Sequence, residues 1–216
     1  MLFPLFCAGA ALVGATSSAA AQTGGTAHLY AYRIVNRAAF EHGYREHLGW
    51  HAAHRDKLVW YAWYIVAGNR AGAFVDGTFG TTPQGLAGRP DPDGDGANFH
   101  KTAGPFVTPI GDEGWELIPQ ASPADHLEAL HPDERVNVYL IMPKDAATFD
   151  PARESKRLHA GAWYRNTDDK SGGYLLIVPA GSATTVPALD PGLPAKTVRA
   201  ETWRYVPRLA RIPRDR

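Results

Sequence analysis

The chain has 216 residues, and its 22 Lys plus Arg are balanced by 22 Asp plus Glu, so the formal net charge is zero. That balance leaves no electrostatic footprint for nucleic acid or for an anionic membrane surface. The single cysteine, Cys7, lies near the start, so the rest of the chain has neither disulfides nor thiolate-metal chemistry.

Residues 1–21 are small, apolar and uncharged, and they close on Ala19-Ala20-Ala21. This is the pattern of a secretory signal peptide with an A-x-A cleavage site. A mature chain beginning at Gln22, in the periplasm or secreted, is therefore expected. No Lys or Arg precedes the apolar segment, which departs from that pattern. A membrane-spanning reading is weaker still, because the segment is short and Thr16, Ser17 and Ser18 interrupt it. The remainder, about 195 residues, suffices for one large domain or two small ones without staples.

In chain order, residues 28–35 alternate as a strand does, and Asn36 can cap a helix over 37–55. The stretch 58–80 is two apolar runs around a Gly68-Asn69-Arg70-Ala71-Gly72 turn, which predicts a β-hairpin. A short helix is expected at 81–88. Residues 89–114, rich in Gly, Pro and Asp, read as an irregular insertion. A short strand at 115–119 and a helical piece at 125–130 complete a first unit, 22–130. The second unit, 131–216, repeats the order: strand 135–142, helix 144–158, strands 160–166 and 174–179, and a strand over 197–206. Its Arg-rich end, 199–216, reads as a solvated basic tail.

Each unit is thus β-α-β-β with a further α and β, the ferredoxin-like order, occurring twice. Ala62-Trp63-Tyr64 also recurs as Ala162-Trp163-Tyr164, one hundred positions later. The strand over 58–66 is apolar on both faces, with Val59, Tyr61, Trp63 and Ile65 on one and Trp60, Ala62, Tyr64 and Val66 on the other. Both faces must therefore be covered. With these features the chain resembles the dimeric α+β barrel superfamily. The fold expected is α+β, two ferredoxin-like βαββαβ repeats packed as a pseudo-dimeric α+β barrel. The resemblance implies relatives that include haem-degrading monooxygenases, chlorite-dismutase-like haem proteins and cofactor-free monooxygenases, so fold leaves function open.

No nucleophile elbow, phosphate loop, dinucleotide fingerprint or HExxH is present. Asp112, Glu113 and Glu116 beside Trp115 serve acid-base chemistry only if buried. Asp91, Asp93 and Asp95 alternate before a glycine like the opening of a calcium loop, but the twelfth position is Thr102 and not the bidentate Glu. The aromatics Trp60, Tyr61, Trp63, Tyr64, Trp163 and Tyr164 are either barrel packing or the walls of a ligand pocket.

The sharpest lead is on the first helix. Turning it by about 100° per residue groups His47, Trp50, His51 and His54 with Phe40, Tyr44 and Leu48, while Glu41, His42, Arg45, Glu46 and Asp56 take the other side. Phe40 to Trp63 spans 23 positions but Phe149 to Trp163 only 14, so the first unit carries extra helix around Trp50, His51 and His54. Imidazoles at this spacing can converge on a divalent metal, offer an axial ligand to haem, or act as base. The plain alternative is a hydrogen-bonded set at a helix C-terminus. Two functions follow as expectations. One is an exported protein holding a small, partly apolar ligand between its sheets. The other is a haem- or metal-dependent enzyme, monooxygenase-like, using those histidines. The expected partners are a small molecule and a second copy of the chain in a homo-oligomer, with no nucleic acid and no membrane after signal removal.

Overall fold

The computed structural model describes residues 25–122, 134–158, 161–167, 172–181, 185–189 and 191–213. The proposed signal and the helical piece expected at 125–130 lie outside them. Eight antiparallel strands close into one barrel in the order β1-β3-β2-β8-β5-β7-β6-β4. They are β1 Thr26–Ile34, β2 Tyr61–Ala67, β3 Phe74–Thr81, β4 Val107–Leu117, β5 Arg135–Pro143, β6 Ala162–Asn166, β7 Tyr174–Pro179 and β8 Ala195–Tyr205. The first four are ordered β4-β1-β3-β2 and the last four β8-β5-β7-β6, so each set has the ferredoxin-like arrangement. Pairing of β2 with β8 and of β4 with β6 joins the two sheets edge to edge. No sheet edge is left open, which removes the hazard of unpaired strand groups.

Period-two alternation divides the strands cleanly. Val59, Tyr61, Trp63 and Ile65 enter the barrel interior, where Trp115, Tyr164 and Trp203 also pack. Ala62 and Tyr64 face outward beneath helix α1, Arg37–Ala53, together with Phe40, Tyr44 and Phe74. Asn36 caps α1, its side chain accepting from the Ala39 amide at 3.2 Å. One end of the barrel is tied by charge. Glu201, fully buried, accepts two bonds from Arg70 at 2.6 and 2.8 Å and one from the Trp203 indole at 2.8 Å. Beside it Arg199 grips Glu113 at 2.9 and 3.0 Å.

Four expectations are corrected. Residues 89–114 are not irregular: they hold helix α3, Pro92–Thr102, and most of β4, and α3 follows the short helix α2, Pro83–Ala87. Asp91 caps α3 from the left-handed region and Pro92 takes its first turn, a start that suits proline. Second, the helix expected over 144–158 is α4, Pro151–Leu158, because Asp145 bonds the Ala147 amide and the Thr148 hydroxyl and holds a turn there instead. Third, the basic end is not a solvated tail. Arg199 is inside β8, Arg208 bonds Glu41 at 2.9 Å, and Arg211 exchanges two backbone bonds with Trp60. Fourth, the repeated Ala-Trp-Tyr does not mark equivalent positions. Trp63 and Tyr164 point into the barrel, whereas Tyr64 and Trp163 point out.

Candidate metal centre

Helix α1 buries Phe40, Gly43, Tyr44, His47 and His51, a stripe at spacings of three and four that faces the barrel and α3. The approach to α3 is close: a Cβ on Gly43 would lie 2.0 Å from the carbonyl oxygen of Thr102. That contact sets Asp95, in the first turn of α3, beside the two histidines. Nε2 of His47 and Nε2 of His51 are 3.2 Å apart, and they lie 3.3 and 3.4 Å from Oδ1 of Asp95. All three residues are buried.

The outer nitrogens fix which ring atoms face inward. Nδ1 of His47 is 2.9 Å from Oδ1 of Asn98, and an amide oxygen can only accept, so Nδ1 carries the proton. Nδ1 of His51 is 2.8 Å from Oδ2 of the buried Asp56, an ion-pair contact too oblique for a well-aligned hydrogen bond. A carboxylate beside it again places the proton on Nδ1. Asp56 is itself held by the Trp60 indole at 2.8 Å and the Leu58 amide at 2.9 Å. Burial pushes its carboxyl up, but the close His51 imidazole and the bonds from Trp60 and Leu58 outweigh that and hold it below the usual carboxylate range. Burial likewise lowers the His47 imidazole, with Asn98 opposing and His51 adding to the effect. Arg89 donates to the other Asp95 oxygen at 3.2 Å.

With both rings in the Nδ1–H tautomer, the two Nε2 lone pairs and Oδ1 of Asp95 converge. A four-coordinate ion with bonds of about 2.0–2.1 Å needs ligand atoms about 3.3 Å apart, which is the edge length of this triangle. Two histidines and one carboxylate with open positions is a recognised donor set for a divalent first-row metal. The triangle borders a cavity of about 260 Å³ lined by Tyr30, Tyr32, Trp60, Asp76, Phe99 and Asp112, among others. Haem does not fit here. Both Nε2 atoms face each other and Asp95, so neither is free to project as an axial ligand. The cavity also falls below the roughly 300–1,000 Å³ of drug-sized sites, and a porphyrin is larger than such ligands.

The other predicted residues are distributed as follows. His54 is exposed, stacks on Trp50 with centroids 3.9 Å apart, and bonds the Trp50 carbonyl at 2.8 Å, outside the triangle. Tyr61, Trp63 and Tyr164 fill the barrel interior, Tyr64 and Trp163 its outer layers, and of the predicted aromatics Trp60 lines the cavity. A ligand between the sheets would compete with that packed interior. Residues 91–96, read above as the opening of a calcium loop, form a helix start, where Asp91 accepts from the Gly94 amide, Asp93 is exposed, and Asp95 turns inward to the histidines. Sequence reasoning missed Asp56, Asp76, Arg89 and Asn98. Helical phase alone puts Asp56 on the far side of α1, but the helix stops at Ala53 and Arg55, at φ 54°, turns the chain back so that Asp56 meets His51. A lone Asp76 in an otherwise uncharged strand, next to Val75, was a readable signal.

No protein-family model matches the chain, and no curated protein matches it. Solved structures are similar in fold. One described as a candidate chlorite dismutase aligns over 86% of this chain and 96% of its own, with TM-score 0.54 and 10% identity. A candidate monooxygenase from Lactobacillus acidophilus NCFM aligns over 84% and 93%, with TM-score 0.48 and 11% identity. An anthrone oxidase-like protein aligns over 84% and 91%, with TM-score 0.41 and 9% identity. At these identities the likeness establishes architecture alone, and the fold is the dimeric α+β barrel.

Proposed function

We propose that the protein is a metal-dependent enzyme in which His47, His51 and Asp95 hold one divalent first-row transition ion beside a small cavity. The observation that carries this reading is the buried triangle of potential ligand atoms, 3.2 to 3.4 Å on each side. Left empty, such a site sets lone pairs against one another; a cation relieves it. Asn98 and Asp56 orient the imidazoles, and Arg89 orients the carboxylate, as outer partners do in metal sites. When bound, the ion supplies Lewis acidity or redox chemistry at its open positions. The chain's own part is to exclude bulk water, to seat a small, partly apolar molecule against Tyr30, Tyr32, Trp60 and Phe99, and to move protons at the cavity wall. Export, which rests on residues 1–21, belongs to the same proposal, and intact-mass measurement of the exported protein checks for a start at Gln22.

Calorimetric titration of chelator-treated protein with zinc or ferrous ion tests the metal reading. One site per chain is expected, and His51→Ala should weaken it at least a hundredfold. Heat without saturation at one ion per chain, or a parent and variant that titrate alike, would refute it.

A further inference from the structure

The cavity has a second functional wall that the metal ligands do not use. Asp76 lies on β3, opposite Ala62 of β2 and Tyr30 of β1, so its side chain points outward beneath α1. It is 5% exposed and belongs to the cavity wall. Its Oδ2 accepts from the Tyr44 hydroxyl at 2.5 Å. Its Oδ1 is buried and receives no well-aligned hydrogen bond, since its own backbone amide reaches the carboxyl only obliquely. Tyr44 stands one turn before His47 on α1, with ring centroids 6.1 Å apart, so the carboxyl and the metal ligands border the same space.

A buried carboxylate oxygen without a donor is costly, and a molecule that brings a donor to it removes that cost. Around the cavity, Tyr30, Tyr32, Trp60 and Phe99 supply flat apolar walls. Its charges are chiefly acidic: Asp76, Asp95 and Asp112, with Arg89 committed to Asp95 and His28 to Asp112 at 2.6 Å. In the metal-free protein an anion entering beside Asp76 meets repulsion; a neutral flat molecule bearing a donor meets both the walls and the missing bond.

We infer that the ligand of this cavity is a small, flat, uncharged molecule whose O–H or N–H donates to Oδ1 of Asp76. This deepens the site reading above and rests on its cavity, though not on a bound ion. Asp76 is then the residue that selects for a donor and receives its hydrogen bond. Burial raises the Asp76 carboxyl to about 7, with Tyr44 and its own backbone amide opposing and Asp95 adding, so it accepts as a carboxylate in mildly alkaline solution.

Ligand-observed NMR titration at pH 8 with phenol and with toluene, which match in shape and differ in the donor, tests the inference. Both metal-stripped and zinc-reloaded full-length protein are used, so loss of metal binding and loss of ligand choice are read separately. Phenol should bind about ten- to a hundredfold more tightly than toluene in the stripped protein, the range expected of a hydrogen bond to a charged group. In Asp76→Asn the amide oxygen keeps the Tyr44 bond and the NH₂ faces the cavity, so the preference should vanish. Tyr44→Phe, which leaves Asp76 in place, should retain it. Equal binding of the two probes by the parent, a preference that survives Asp76→Asn, or its loss in Tyr44→Phe would overturn the inference.

Discussion

The two halves of the barrel share a strand order and differ on their outer faces. In the first half α1 runs for 17 residues and packs on an 11-residue α3 that joins β3 to β4. In the second half α4 has 8 residues, and among the described residues no helix joins β7 to β8. The longer α1 carries His47 and His51, and α3 supplies Asp95. The buried acid of α4, Glu154, is neutralised on its own helix by Arg153 and Arg157, each at 3.0 Å. The contrast teaches that the barrel is a common scaffold and the site is an elaboration of one side of it.

The comparison breaks most completely if the scaffold fails. Glu201→Ala leaves Arg70 and the Trp203 indole without their buried partner, and about 3–5 kcal/mol of stability should be lost. Chemical denaturation read in parallel by tryptophan fluorescence and circular dichroism should show one transition, because β8 pairs with both β2 and β5. Two separate transitions would mean that the halves fold independently.

A smaller change separates the halves. Gly43→Ala forces a methyl group against the Thr102 backbone, so α3 must move away from α1. Destabilisation of about 1–3 kcal/mol is expected, as for overpacking generally. Zinc affinity should fall with it, since Asp95 moves with α3. Glu154→Gln in α4 is the matched control, and metal titration there should follow the parent.

The fold was legible from the chain because it rests on period and order. Alternation assigned the two faces of β2 correctly, and the strand sequence of each half followed from counting elements. The two Ala-Trp-Tyr triplets lie in opposite register, a coincidence of letters beside a true repeat of strand order. The site was half legible. Helical phase brought His47 and His51 together, and the length mismatch between halves located the elaboration. What escaped was set by tertiary packing: a proline- and glycine-rich run became α3 through its Asp91 cap, and Asp56 reached His51 through a left-handed residue that no period predicts.

The subtlest effect concerns pH. Asp76 has a folded value of about 7, raised by burial above its unfolded value. A carboxyl so raised stabilises the fold below its unfolded value, and that contribution is lost as pH climbs from about 4 through 7. Asp76→Asn does not titrate, so its stability relative to the parent should rise across that window and level off above it. Urea denaturation at matched pH values measures the difference, and a flat difference curve would place Asp76 in ordinary solvent.

The central claim is that one side of a symmetric barrel holds a metal through two imidazoles and a carboxylate. X-ray absorption spectroscopy of zinc-loaded protein tests it most directly. The account predicts one zinc per chain, with two imidazole nitrogens and an oxygen among ligands at about 2.0–2.1 Å, and loss of that signature in His47→Ala but not in Glu154→Gln. A spectrum without imidazole scattering, or one unchanged in His47→Ala, would contradict it.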